Sequence, residues 1–290
     1  MSAPVLAVHG GAGGLPTDPD WNAVAGRGLR QALERGRGIL DAGGEALEAV
    51  VAAVEILEDC EVLNAGRGSV LSCDGRVEMD AAVMAGGQAG AVAGVSRIAH
   101  PVRAALAVLQ DGRHVLLAGA GAESLARARG CREADAESFV TARRRAQFER
   151  RQASGQGGTV GAVARDAQGH LAAATSTGGM SGKLAGRVSD SCQIGAGTWA
   201  DNASCAVSAT GFGEFFVRSA FAHEVDAGMR LGGLPLGTAC ERALAAVSAA
   251  GGSGGCIAVD HAGSLALPFT TARMARGFVD AGGTLRVEPT

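Results

Sequence analysis

Two stretches near the start of the chain place apolar residues at intervals of three and four. This spacing puts apolar side chains on one face of a helix and predicts amphipathic helices over residues 21–40 and 45–57. The apolar run at residues 4–8 precedes them and is typical of a short buried strand. The order of these elements predicts that both helices cover a sheet.

Further along, the chain alternates short runs of small and branched residues with turn signals. Residues 70–72 and 77–80 flank Asp74–Gly75 and predict a hairpin. Residues 159–165 and 170–175 predict a second hairpin across the turn at 166–169. The remaining segments with a clear pattern predict a strand at 90–95 and helices at 102–110, 134–152 and 240–249.

Composition narrows the class of protein. The chain has 290 residues, which is enough for one large or two small domains with a sizeable core. No apolar run reaches the length of a membrane span and the first residues lack a basic signal, so we expect a cytoplasmic protein. A net charge of −3 suggests neither nucleic acid nor a membrane as partner. The seven cysteines contain no C-x-x-C pair and predict free thiols.

An arginine-rich segment raises one alternative. Residues 143–145 and 150–151 are all arginine, which could form a basic patch for nucleic acid. Glu137 and Glu149 interleave with them, so a solvated helical face leading into the glycine-rich linker at 153–158 is favoured. Because a strand pattern resumes directly after this linker, a break here would fall within one fold.

Thr159 is the first candidate for chemistry. It follows Gly158 at the end of the linker, and cleavage between the two would give a threonine with a free α-amino group. Such a residue combines a hydroxyl nucleophile with its own base. A serine hydrolase is an alternative, since residues 251–255 match G-x-S-x-G around Ser253. A predicted helix precedes Ser253 and a strand follows it, the reverse of that motif's context, so a tight turn is favoured.

Several segments then carry the resemblance to a known family. These segments are HGGAGG (9–14), LEDCEVLNAGRGSVL (57–71), GAVAGV (90–95), GGTVGAVARD (157–166), AATSTGGM (173–180), GRVSDS (186–191), TGFGE (210–214) and GGSGG (251–255). Over nearly the whole chain they resemble the plant-type asparaginase and isoaspartyl aminopeptidase family of N-terminal nucleophile hydrolases.

The resemblance implies an architecture. It implies an α+β fold, a four-layer αββα sandwich formed by one domain over residues 1–290. The precursor would cleave itself into an α subunit, residues 1–158, and a β subunit, residues 159–290. Two such pairs would assemble as (αβ)2, and catalysis would need no cofactor.

The resemblance also implies roles for the residues that match. Thr159 would be the nucleophile after cleavage at Gly158, and Thr177 would tune its hydroxyl. The Thr210 hydroxyl and the Gly211 N–H would form the oxyanion hole.

Substrate recognition is implied in the same way. Arg187 would bind the α-carboxylate of the substrate and Asp190 its α-ammonium, with help from the backbone of Gly211 and Gly213. Asn64 would support the site from the α subunit. A structural sodium ion would be held by the backbone carbonyls of Leu57, Glu58, Cys60, Leu63, Ala65 and Arg67.

The implied reaction is hydrolysis of β-aspartyl dipeptides and L-asparagine through a β-aspartyl ester of Thr159. Two alternatives stay open: a glycosylasparaginase-like hydrolase of N-linked asparagine conjugates, and an unprocessed binding or scaffold protein without activity. Phe212 departs from the small polar residue or histidine that the family often has within TGxGE. We therefore expect a substrate preference of this chain's own.

Overall fold

The structure, a computed structural model, describes residues 3–14, 19–150 and 158–289. Most of the linker at 153–158 lies outside these residues. The strands are β1 Val5–Gly13, β2 Met79–Ala85, β3 Gln88–Val95, β4 Leu116–Ala118, β5 Val160–Arg165, β6 Leu171–Thr177, β7 Thr198–Ala200, β8 Cys205–Gly211, β9 Gly254–Asp260, β10 Leu265–Ala266, β11 Arg273–Val279 and β12 Leu285–Glu288. The α-helices are α1 Trp21–Asp41, α2 Ala46–Asp59, α3 Pro101–Asp111, α4 Gly119–Ala128, α5 Ala142–Glu149, α6 Gly213–Arg218, α7 Phe221–Arg230 and α8 Leu236–Ala249.

The apolar spacing predicted the first helices well. α1 and α2 lie where residues 21–40 and 45–57 predicted them, and the buried positions of α1 include Leu29, Leu33 and Leu40 on one face. The helices predicted at 102–110 and 240–249 are confirmed as α3 and α8. Among the described residues, no helix combines the length and apolar character needed to cross a bilayer.

Two predictions of local structure are wrong. The Asp74–Gly75 turn forms, but it joins no hairpin: β2 begins only at Met79 and pairs with β3 across Gly86–Gly87. The helix predicted at 134–152 is instead a 3-10 turn, Ala136–Phe139, followed by the short helix α5. Residues 151 and 152 of that prediction lie outside the described part of the chain.

The strands form two sheets. In the described residues the larger sheet has eight strands in the order β12-β11-β1-β5-β6-β2-β3-β4 and the smaller has four in the order β10-β9-β8-β7. The hairpin predicted at 159–175 is confirmed, because β5 and β6 pair antiparallel with Val160 opposite Ser176. The start of β5 therefore lies beside the end of β6.

Alternation along β1 shows how the layers stack. Leu6 and Val8 pack with α1 and α2 on one face of the large sheet, whereas Val5 and Ala7 pack on the other face against Ile257 of the small sheet. A third cluster joins the small sheet to α7 and α8. The layers are thus helices, sheet, sheet and helices, so the predicted α+β sandwich of αββα type is confirmed.

Candidate active site

The carbonyl of Gly158 is the centre of a hydrogen-bonded cluster. The Thr177 hydroxyl donates to it at 2.8 Å and the Asn64 side-chain amide donates at 2.7 Å. Thr159, which follows Gly158 and directly precedes β5, is buried with 5% of its surface exposed. Two side-chain donors on one peptide carbonyl withdraw electron density from its carbon, which prepares that carbon for attack.

Asn64 is fixed by further bonds. Its Nδ2 also donates to the carbonyl of Gly179 at 2.7 Å, and its Oδ1 accepts the N–H of Val70 at 2.8 Å. Thr177 is fixed similarly, because its Oγ accepts the N–H of Gly179 at 2.9 Å. Both donors to the Gly158 carbonyl are therefore held in one orientation.

The glycines of β1 allow its backbone to approach Gly158 and Thr159 closely. Gly11 has φ of +106°, and a Cβ atom there would lie 3.2 Å from Cα of Gly158 and 3.4 Å from N of Thr159. The next residue, Ala12, donates its N–H to the Thr210 hydroxyl oxygen at 3.1 Å. The segment HGGAGG, most of which belongs to β1, thus connects the large sheet to the end of β8.

His9 is a functional-site neighbour that the sequence analysis did not identify. It is fully buried, and burial lowers the pKa of its imidazole to about 3 although its contact with the Thr159 backbone acts in the opposite direction. Its Nε2 lies 2.9 Å from the Ser208 hydroxyl, which in turn lies 2.7 Å from the Thr175 hydroxyl. A neutral imidazole therefore lies buried close to the Thr159 backbone and is fixed by Ser208.

Thr210 and Gly211 end β8 and lie in the small sheet. Gly211 has φ of +153°, and a Cβ atom there would lie 2.5 Å from the Ser253 carbonyl oxygen. This backbone conformation and this space both require glycine. The G-x-S-x-G match at Ser253 is part of the turn before β9, as the sequence favoured. The Ser253 carbonyl accepts the Phe212 N–H.

Arg187 is held by a residue to which the sequence analysis gave no role. Its Nε and Nη2 each donate to one carboxylate oxygen of Glu214 at 2.9 Å. Burial would raise the pKa of Glu214, but the hydrogen bond and charge of Arg187 outweigh it and lower that pKa. Only 14% of the Arg187 side chain is exposed, so the guanidinium is positioned rather than free.

Asp190 lies near the same guanidinium. It is buried, and burial raises the pKa of its carboxyl to about 7 although the charge of Arg187 opposes the shift. Its Oδ2 has no hydrogen-bond partner among the described residues. A Cβ atom on Gly213 would lie 2.5 Å from Asp190 Oδ1 and 2.9 Å from Arg187 Nη2, so the Gly213 backbone lies directly beside both charges.

Gly179 lies between the cluster around Thr159 and the residues Arg187 and Asp190. Its carbonyl accepts from Asn64, and a Cβ atom on it would lie 3.3 Å from Arg187 Nη1 and 3.0 Å from the ammonium nitrogen of Lys183. Lys183, the only lysine of the chain, donates to the Glu78 carbonyl, and burial lowers its pKa. The cluster around Thr159 and the pair formed by Arg187 and Asp190 are therefore neighbours.

A groove of about 590 Å³ opens beside Arg187. Its lining comprises Met180, Ser181, Gly182, Lys183, Leu184, Ala185, Gly186, Arg187 and Glu214. Asp190 is not part of this lining, but its buried Oδ2 lies near Arg187. A small molecule with one carboxylate and one ammonium group would therefore find a cation and a carboxyl oxygen close together here.

Comparisons with known proteins give the family. A family model described as asparaginase matches residues 2–287. The chain is 46% identical over 305 residues to an isoaspartyl peptidase of Salmonella typhimurium, covering 98% of this chain and 97% of the relative. It is 45% identical over 312 residues to an isoaspartyl peptidase of Escherichia coli, covering 98% and 95%.

A vertebrate relative extends the same likeness. The chain is 41% identical over 283 residues to an isoaspartyl peptidase/L-asparaginase of Danio rerio, covering 93% of this chain and 90% of the relative. The chain therefore belongs to the asparaginase family, and the resemblance inferred from its motifs is confirmed. An N-terminal threonine nucleophile is typical of this family of hydrolases.

Proposed function

We propose that this chain is a self-cleaving amidohydrolase that acts on β-aspartyl dipeptides and L-asparagine, with Thr159 as its nucleophile. The observation that carries the proposal is the Gly158 carbonyl, which accepts hydrogen bonds from Thr177 and Asn64 directly before a buried threonine. The substrate class follows from relatives named isoaspartyl peptidase and isoaspartyl peptidase/L-asparaginase.

Self-cleavage starts with attack of the Thr159 hydroxyl oxygen on the Gly158 carbonyl carbon. The negative charge that forms on the carbonyl oxygen is stabilised by Thr177 and Asn64, which already donate to it. The peptide C–N bond then breaks, the nitrogen takes up the proton that the hydroxyl has lost, and an ester between Gly158 and the threonine oxygen remains. Water hydrolyses this ester and gives two chains, residues 1–158 with a new carboxylate and residues 159–290 with a new amine.

The new amine makes Thr159 its own base. A terminal α-amino group in water has a pKa of about 7.7–8.0, so a useful fraction is unprotonated near neutral pH. It takes the hydroxyl proton while the oxygen attacks the β-carbonyl carbon of the substrate. The amino acid or ammonia leaves with that proton, and water then hydrolyses the β-aspartyl ester.

The aspartyl group of the substrate is bound by the residues around Arg187 and Asp190. Arg187 binds the α-carboxylate and Asp190 binds the α-ammonium, assisted by the backbone of Gly211 and Gly213. The Oδ2 of Asp190, which has no partner among the described residues, supports this role, because an incoming ammonium would satisfy a buried carboxyl oxygen. Glu214 keeps Arg187 in place for it.

The oxyanion of the substrate step is bound by the Thr210 hydroxyl and the Gly211 N–H. The Ala12 N–H supports this assignment, since it donates to the Thr210 oxygen and leaves the hydroxyl proton to donate elsewhere. A side chain at Gly211 would collide with Ser253. The oxyanion hole therefore depends on residues from the β subunit, oriented by β1 of the α subunit.

We propose no cofactor for catalysis and a structural sodium ion in the loop that follows α2. The carbonyls of Leu57, Glu58 and Cys60 already accept backbone N–H groups from within this loop, and each keeps a second lone pair for a cation. Cβ atoms on Gly66 and Gly68 would lie within 2.7 Å of the Glu58 and Leu63 carbonyl oxygens, respectively, so the loop is folded tightly around them. The further carbonyl ligands would be those of Ala65 and Arg67.

Assembly and location complete the proposal. A single domain cut into 1–158 and 159–290, a second copy of this pair in an (αβ)2 complex, and a cytoplasmic location all stay predictions. The substrate is a small zwitterion, so we propose neither nucleic acid nor membrane as a partner.

Cleavage and hydrolysis together test the proposed function. The purified protein should give two bands on a denaturing gel, whereas Thr159→Ala should stay a single chain of 28.8 kDa. Wild type should release leucine from β-aspartyl-leucine, and Thr159→Ala should release none above background. A wild-type chain that stays intact after prolonged incubation and leaves the dipeptide unchanged would show that the proposal is wrong.

A further inference from the structure

Three exposed apolar side chains lie close in sequence to the residues of the candidate site. Seven large apolar side chains are exposed in the described part of the chain: Val115, Leu116, Phe148, Leu184, Val188, Phe212 and Leu231. Leu184 lies three residues before Arg187 and Val188 directly after it, and Phe212 stands between Gly211 and Gly213. Exposed apolar groups next to a polar site are a feature of surfaces that bind a ligand.

Phe212 has the most constrained position of the three. Its N–H donates to the Ser253 carbonyl at 3.0 Å, and its two neighbours are the proposed oxyanion donor Gly211 and the head-group neighbour Gly213. The Phe212 ring meets the Phe215 ring edge to face, with centroids 5.4 Å apart. The ring thus contacts Phe215, and its backbone lies between two residues of the candidate site.

The fold does not need the Phe212 side chain for its core. Phe215 packs against the cluster between the small sheet and its helices, but Phe212 belongs to none of the four apolar clusters found in the described residues. With 38% of its surface exposed, it leaves part of its ring in contact with water. A ligand that covers this surface gains the free energy of apolar burial.

The chemistry of the substrate says which ligand group can reach it. The carbonyl carbon under attack has three substituents: the aspartyl carbon chain, the oxygen and the leaving nitrogen. In the proposed function the first is directed to Arg187 and Asp190 and the second to Thr210 and Gly211, so the leaving group takes the remaining direction. In L-asparagine this group is only ammonia, whereas in a dipeptide it carries a side chain.

Resting on the proposed function, we infer that Phe212 forms an apolar subsite for the leaving group, so that the enzyme prefers β-aspartyl dipeptides whose second residue is large and apolar. Free L-asparagine and dipeptides with small polar second residues gain nothing from this surface. Covering about 50 Å² of apolar surface changes kcat/KM by roughly tenfold.

The test compares kcat/KM for β-aspartyl-leucine, β-aspartyl-phenylalanine, β-aspartyl-serine and L-asparagine. In wild type the leucine and phenylalanine dipeptides should exceed the serine dipeptide by about tenfold. Phe212→Ser should remove most of this difference, and Phe212→Leu should restore part of it. Leu231→Ser changes another exposed apolar residue, the one that follows α7, and should leave all four values as in wild type.

Leu184→Ser tests whether Leu184 of the groove, rather than Phe212, contacts the leaving group. If this variant loses the preference and Phe212→Ser keeps it, the leaving group occupies the groove and the inference is wrong. Equal kcat/KM for the leucine and serine dipeptides in wild type would also overturn it, while leaving the proposed function intact. Failure of wild type to hydrolyse any of the four compounds would overturn both.

Discussion

The Thr177 hydroxyl has a position that fits the self-cleavage step. It donates to the Gly158 carbonyl and accepts from the Gly179 N–H, so its proton is directed at the carbonyl that Thr159 would attack. Asn64 supplies the other donor and comes from the opposite side of the cleavage point in the chain. In the proposed self-cleavage, Thr177 and Asn64 would form an oxyanion site different from the one proposed for substrate at Thr210 and Gly211.

This assignment predicts that Thr177→Val slows self-cleavage by about 10²–10³. Valine has the shape of threonine but gives no hydrogen bond to the carbonyl. Thr177→Ser keeps the hydroxyl and should cleave at nearly the wild-type rate. The rate is measured as the loss of the intact chain by mass spectrometry, with circular dichroism as a check on folding.

Equal cleavage rates of Thr177→Val and Thr177→Ser would contradict a role for this hydroxyl in the step. Fast cleavage of the valine variant would leave Asn64 as the sole side-chain donor that matters.

The motifs in the sequence identified candidate site residues but not their partners. The predicted hairpin brings Thr159 beside Thr177. No local pattern encodes the contacts that bring Arg187 and Asp190 near them. Glu214 binds Arg187 across 27 residues of sequence, and His9 meets Ser208 across 199. Glu214 stands within a motif that could have drawn attention to it, whereas burial of His9 becomes evident only from the fold.

At the scale of elements, the periodicity of apolar residues predicted the helices whose apolar side chains lie on a single face. The apolar stripe of α1 and α2 depends only on residues three and four apart, so their bounds were predicted to within about two residues. The prediction of a hairpin at 70–80 was wrong because a turn signal does not determine which strands pair. The turn that joins β2 to β3 uses Gly86 and Gly87, both with positive φ.

Gly90 shows how closely two elements approach. A Cβ atom on Gly90 of β3 would overlap the Leu109 nitrogen and the Ala105 carbonyl oxygen of α3. These are backbone atoms within a helix and cannot rotate away. The helix therefore lies directly on the strand, and glycine at this position determines the spacing.

Gly90→Ala should therefore lower the free energy of unfolding by about 1–3 kcal/mol, because α3 must shift away from the sheet. Gly121 in α4 is the matched control: a Cβ atom there meets nothing within 4 Å. Gly121→Ala should raise the free energy of unfolding by about 0.5–1 kcal/mol, since alanine favours the helix. Urea unfolding measures both, and the same sign of change in the two variants would contradict the close packing.

At the scale of the whole molecule, the proposed cleavage point does not separate two bodies. In the large sheet β1 lies between β11 and β5, and β2 pairs with β6. Strands from residues 1–158 and from residues 159–290 thus alternate within one sheet. The sequence predicted a break within a single fold, but this strand order arises from non-local pairing that the sequence alone did not reveal.

This interleaving predicts that the two chains stay together after cleavage. With an affinity tag on the segment 1–158, the segment 159–290 should be retained through dilution and gel filtration under native conditions. It should be released in guanidinium chloride, because separation needs β1 to lose its hydrogen bonds to β5 and β11 and the core between the sheets to be exposed. Thr159→Ala, which keeps one chain, gives the elution volume expected of the intact fold. Elution of the two segments in separate native peaks would show that the alternating sheet does not persist after cleavage.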